Sequence, residues 1–124
     1  MNFILASNSP RRKELLGMIV HSFDVIPSET SETLREGLNV YEQATYLSYI
    51  KAKDVYDRTT GDRIVIGSDT MVVKNNKIFG KPKNEEDAKH MIKELLEGDK
   101  THSIITGLSI LISENGEYKE YKTF

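Results

Sequence analysis

Residues 7–13, Ser-Asn-Ser-Pro-Arg-Arg-Lys, have the composition of a site for an anion. Ser9 followed by Pro10 predicts a helix start: a hydroxyl that caps free N–H groups, then a proline where a missing N–H costs nothing. Arg11, Arg12 and Lys13 then fall in the first turn, where the helix dipole is already positive. Each exposed cation there costs about 0.3–1 kcal/mol unless something offsets it. An anion above the turn would do so, because backbone N–H groups, dipole and two guanidinium forks would serve one ligand. The alternative is three solvated cations, or cations paired with carboxylates such as Glu14. A second helix start, at Asn84, carries Glu85, Glu86 and Asp87 in its first turn, as the dipole favours. The first helix is therefore the exception. It follows a short apolar run, Phe3–Ala6, and phosphates commonly bind at such strand-to-helix junctions in α/β proteins. Neither a G-x-x-x-x-G-K-[ST] loop nor dinucleotide-binding glycines are present, so any phosphate loop here is of another kind.

Four further residues carry charge in informative contexts. Asp69 closes the apolar run "RIVIGSD", and a carboxylate at a strand edge suits a metal or a water molecule. The competing role is a turn aspartate that accepts from backbone N–H groups. Lys81 lies in "FGKP", where glycine permits close backbone approach, proline stiffens the exit and the lysine could hold a phosphate as a point charge. A plain surface-turn lysine would look the same. Lys51, in "YIKAK", reads as a solvated face of a helix, and Glu32, in "SETSET", as one of several solvated carboxylates. His21, His90 and His102 are isolated and lack ligand spacing. Hard oxygen donors without cysteine favour Mg²⁺ or Mn²⁺ over zinc.

These residues must be placed by an α/β scaffold. Candidate strands are Phe3–Ala6, Ser22–Ile26 and Arg63–Asp69, the last read as ending in a turn at Gly67-Ser68. A helix from an Asn39/Glu42 capping box to about Tyr56 carries Tyr41, Ala44, Leu47 and Ala52 near one face. "TMVV" and "KIF" flank a hairpin, Asn84 opens a helix to about Leu96, and Asn115-Gly116 signals a type I′ turn between two long strands. Leu15, Leu16 and Ile19 give the first helix an apolar face. The order predicts one α/β domain with a mixed sheet and no helix over the last hairpin.

Composition sets outer bounds. The 124 residues suffice for one domain with a modest core. At 38% hydrophobic and 29% charged the chain reads as globular. A net charge of −2 argues against nucleic-acid binding, so an anion site must come from local clustering. No cysteine is present, which excludes disulfides and fits a reducing cytoplasm. The N-terminus does not read as a signal peptide, and no apolar run approaches the roughly 18 residues that cross a membrane.

Taken in order, "LASNSPRRKELL", "KAK", "IGSDTMV", "GKP" before a helix and "THSIITGLSI" resemble the Maf (septum formation) family of nucleotide pyrophosphatases, from Phe3 to the last residue. The resemblance implies hydrolysis of a nucleoside triphosphate to the monophosphate and pyrophosphate with a divalent metal, Mg²⁺ or Mn²⁺. It implies a mixed twisted sheet flanked by helices, a cleft between two lobes, and kinship with inosine triphosphate pyrophosphatases. Ser7, Arg11 and Arg12 would hold the substrate; Glu32 and Asp69 would serve metal and water; Lys51 and Lys81 would bind phosphates. Thr70 with the arginine pair resembles the subgroup acting on dTTP and UTP rather than the one acting on 7-methyl-GTP. The family pattern continues past Phe124 with a "KAGAYGIQG"-like segment, so residues 1–124 are expected to form an incomplete domain lacking a C-terminal third. Its one glutamine, Gln43, lies elsewhere. Uncovered apolar surface would then invite association, a homodimer among the forms it could take. Two other readings are a nucleotide-binding regulatory module linked to cell division without turnover, and a nucleotidyltransferase-like domain. The latter expects a glycine-rich first loop, which "ASNSPRR" is not.

Overall fold

The computed structural model describes residues 1–99 and 101–124. Strand β1 (Asn2–Leu5) leads into helix α1 (Pro10–Gly17), then β2 (Asp24–Val25), α2 (Val40–Asp57) and β3 (Arg63–Lys74). Strand β4 (Lys77–Phe79), helix α3 (Glu85–Leu96) and the hairpin β5 (Ser103–Glu114) and β6 (Glu117–Thr123) complete it. All six strands form one mixed sheet, ordered β2-β1-β3-β5-β6, with β4 also paired to β3. The β1 pairings to β2 and β3 are parallel and the rest antiparallel.

The turn and cap signals act as their chemistry requires. Ser9 accepts from the Arg12 N–H with Pro10 at the first helical position, and Asn39 and Glu42 form a reciprocal capping box. Asn84 accepts from the Asp87 N–H. Asn115 and Gly116 both take positive φ, 52° and 81°, as a type I′ turn demands, and Asn75 and Asn76 do the same between β3 and β4.

Three expectations need correction. First, β3 does not end at Asp69. Its pairing with β5 runs unbroken from Arg63 to Val73, and this ladder keeps the strand extended through "GSD". Second, β2 is two residues rather than five, because it meets β1 only at Asp24 and Val25. Third, Tyr41 belongs to the exposed side of α2. The inner side of that helix is Gln43, Ala44, Leu47, Ser48, Lys51, Ala52 and Val55.

That inner side packs on one face of the sheet in two apolar clusters. One joins Ala52 and Val55 to Ile4, Val65 and Leu111; the other joins Ala44 and Leu47 to Met71, Val73 and Ile105. Two glycines let the helix backbone lie directly on the strands. A Cβ on Gly67 would sit 2.4 Å from the Ser48 carbonyl oxygen, and one on Gly107 2.1 Å from that of Ala44. Between them Ser48 and Ser109 share a buried 2.7 Å hydrogen bond. Helices α1 and α3 bury no side chain fully, and the apolar Leu15 and Ile19 of the first helical segment are exposed.

Candidate functional site

The site lies where one edge of β3 loses its partners. β1 pairs with residues 63–66 and β4 with residues 72–74. Both stretches also pair with β5, so β1 and β4 share the other edge and leave Gly67–Met71 open between them. There β1 leaves the sheet, its last tie the Ala6 N–H donating to the Ile66 carbonyl, and turns into α1. The loop after β2 and the segment after β4 close the sides. The result is a cleft of about 930 Å³ lined by Ser7, Arg12, Glu32, Lys51, Asp69, Thr70 and Lys81.

Each charged side chain arrives from a different element. Lys51 comes off the inner side of α2 and is 8% exposed, not a solvated helix face. Its ammonium donates to Asp69 Oδ1 at 2.8 Å and lies 2.9 Å from Glu32 Oε1. Asp69 is itself buried, on the α2 side of β3. Lys81 stands 3.9 Å from the same Glu32 oxygen on an exposed side chain. The Lys51 hydrogen bond holds the Glu32 carboxyl below the ordinary glutamate range, with Lys81 and Arg12 adding to the effect. At the other side of the cleft, Arg12 Nη1 donates to Ser7 Oγ at 3.5 Å and Nη2 to Thr70 Oγ1 at 3.3 Å. Ser7 Oγ also accepts from the Ser9 N–H, so one hydroxyl ties the backbone between β1 and α1 to the arginine.

Seven of the eight residues singled out from the sequence thus line one cleft. Arg11 does not: it is exposed on α1 and absent from the lining. Residues adjacent on a helix point about 100° apart, so only one of two neighbouring arginines can face inward. Beside Gly80 there is open space, with no atom within 4 Å of where a Cβ would be.

Other contributors had no motif to announce them. Gln43, buried on α2, accepts from the Arg35 N–H at 3.0 Å and donates to the Arg35 carbonyl, clamping the loop that carries Glu32. The same loop is held at its start by Asp54, which accepts from the Glu29 N–H, and by Arg58, which donates to the Pro27 carbonyl. Thr106 on β5 lies opposite Thr70 with their hydroxyls 3.1 Å apart. Leu34, Leu47, Met71, Ile78 and Phe79 give the cleft an apolar wall. A single buried-position signal, a lone glutamine on the apolar side of an amphipathic helix, could have flagged Gln43; the others depend on register.

A cleft with three cations and two carboxylates converging beside an apolar wall can hold a polyanion with an apolar end. Among the described residues no group of three His, Cys, Asp or Glu side chains is arranged for a metal. No helix among them is long and apolar enough to cross a membrane.

Comparison with known proteins finds relatives along nearly the whole chain. A family model described as Maf-like protein matches residues 2–124. A dTTP/UTP pyrophosphatase of Alkaliphilus metalliredigens is 46% identical over 113 residues, which cover 91% of this chain and 57% of that protein. One of Ruminiclostridium cellulolyticum is 44% identical over 115 residues, covering 92% of this chain and 58% of the relative. The chain thus spans little more than half the length of these relatives. Among solved structures, a nucleoside-triphosphatase / dITP/XTP pyrophosphatase from Mycobacterium abscessus superposes with a TM-score of 0.54 at 14% identity. The match covers 98% of this chain and 70% of that one, and it is a likeness of fold.

Proposed function

The chain belongs to the Maf-like protein family, and on that premise we propose that its cleft serves a nucleoside triphosphate pyrophosphatase acting on dTTP and UTP. The observation that carries this reading is one cleft at the unpaired edge of β3 in which Lys51 and Lys81 meet the Glu32–Asp69 carboxylate pair and Arg12 lines the other side. Cleaving a phosphoanhydride to release pyrophosphate needs the phosphate charge neutralised, a water oriented and the leaving group held. Arg12, steadied by Ser7 and Thr70, grips phosphate oxygens bidentately. Lys51 and the exposed Lys81 neutralise the polyphosphate and its leaving end. Asp69 orients the attacking water or takes up its proton. The apolar wall accepts the base, and Thr70 stands beside it.

The carboxylate pair also fits a divalent cation. Mg²⁺ is typically bound through one or two carboxylates plus substrate phosphates, which is the donor set Glu32 and Asp69 offer. The Lys51 ammonium shows that one cation can touch both carboxylates at once. Glu32 and Asp69 would hold Mg²⁺ or Mn²⁺, whose chemistry is charge neutralisation and activation of water.

The test is pyrophosphate release from dTTP, UTP, CTP and 7-methyl-GTP with Mg²⁺ or Mn²⁺. It is run on this chain and on a polypeptide of its relatives' length that contains it. We expect release from dTTP and UTP ahead of the other two. No release from any nucleotide by either polypeptide would overturn the reading.

A further inference from the structure

The charged residues lining the cleft are Arg12, Lys51 and Lys81 against Glu32 and Asp69. Three cations and two carboxylates give the side chains of the cleft a net charge of plus one. Lysine is rarely buried unless paired, and Lys51, 8% exposed, is paired twice. Its nitrogen is 2.8 Å from Asp69 Oδ1 and 2.9 Å from Glu32 Oε1. A point cation therefore already stands between the two carboxylates. A divalent ion that took the same oxygens would have to displace it, or face it at close range inside a positive cleft.

We propose that Lys51 is the resident counter-ion of the Glu32–Asp69 pair and gates it, so that the divalent metal enters only as a triphosphate draws the ammonium off the carboxylates. This rests on reading that pair as the metal site. The physical logic is exchange of partners. The polyphosphate supplies anionic oxygens for Lys51, Lys81 and Arg12, and the carboxylates so released take the metal. Until then the same carboxylates are satisfied by Lys51, and the net positive field of the cleft opposes a dication. Nucleotide and metal then load together, and metal alone binds weakly.

The experiment needs no turnover and uses metal alone. Mn²⁺ is titrated into the nucleotide-free chain and free Mn²⁺ is read by electron paramagnetic resonance, for the native chain and for Lys51→Met. Methionine keeps the apolar stem that packs between α2 and β3 while removing the charge. Lys51→Gln, which keeps a hydrogen-bond donor for the carboxylates, is the second variant should the first not fold. We expect Mn²⁺ affinity to rise at least about tenfold when the charge is removed. Adding Glu32→Gln to the variant should abolish the gain. Equal or weaker Mn²⁺ binding in the charge-removed variants would overturn the proposal. So would a gain that survives loss of Glu32, since it would then arise elsewhere. Absence of pyrophosphate release from both this chain and the longer polypeptide would sink the functional reading and leave this result standing; unchanged Mn²⁺ affinity would do the reverse.

Discussion

Arg11 and Arg12 are neighbours of identical chemistry in different places. Arg12 reaches Ser7 and Thr70 across the cleft, and Arg11 faces away from it. Arg12→Ala should weaken UTP binding by about tenfold or more, the scale of a hydrogen bond to a charged group. Arg11→Ala should change it by no more than about twofold, as for an exposed charge. Calorimetry at two salt concentrations checks both, with the Arg12 loss larger at low salt. Equal losses would mean that the arginines act as one diffuse charge. The loop that carries Glu32 has its own acid dependence. Glu32 is held below its ordinary range by the Lys51 hydrogen bond, and Asp54 by the Arg58 side chain and then the Glu29 N–H. A carboxyl with a depressed folded pKa stabilises the fold above its unfolded value, roughly pH 4, and that contribution is lost as pH falls through the depressed value. Thermal melts between pH 7 and pH 3 should therefore fall below about pH 4, and Lys51→Met should flatten the part that belongs to Glu32.

At the scale of elements, helix α2 decides the site. Its distance from the sheet determines whether Lys51 meets Asp69, and that distance is set by Gly67, Gly107 and the Ser48–Ser109 contact. Because Ser48 gives its single proton to the Thr45 carbonyl at 2.7 Å, Ser109 is the donor to Ser48. Gly107→Ala forces a methyl to 2.1 Å from a backbone oxygen, which only a shift of the helix relieves. It should cost at least about 3 kcal/mol, the upper part of the range for overpacking. Ser109→Ala removes one buried hydrogen bond and should cost about 1 kcal/mol. Urea unfolding of the two variants checks the order. A neutral Gly107→Ala would show that the helix rides higher than the close contact implies.

For the whole molecule, the sheet is covered unevenly. Residues paired across strands face the same way, so Ile64, Ile66, Ile110, Ile112 and Tyr121 lie on the face opposite α2. They are half-buried or exposed, with Tyr121 at 58%, and Ile104, farther along β5 on the same face, is exposed as well. Strands apolar on both sides suit a sheet covered on both sides, and a contiguous apolar patch on a soluble chain favours association. Sedimentation should show this chain self-associating as its concentration rises, and Ile110→Lys with Tyr121→Lys should suppress it. Unchanged sedimentation would place the contact elsewhere. The chain's overall charge is −2 while its cleft is positive, so attraction for polyanions is confined to one place.

The sequence by itself determined what depends on neighbours along the chain. Helix starts at Ser9, Asn39 and Asn84 and the turn at Asn115-Gly116 are local competitions for backbone hydrogen bonds, settled within four residues. The ordered motifs carried the family and most of the cleft's residues. Tertiary structure decided what depends on register and on partners far away. Asp69 looked like the end of a strand because "GSD" is locally turn-like; β5 overrides that by pairing straight through it. Lys51 looked solvated because lysine usually is; only the seating of α2 on Gly67 and Gly107 delivers its ammonium to two carboxylates drawn from a loop and a strand. Which of two adjacent arginines faces the cleft follows from helical phase relative to the sheet, and no short stretch of sequence contains that angle.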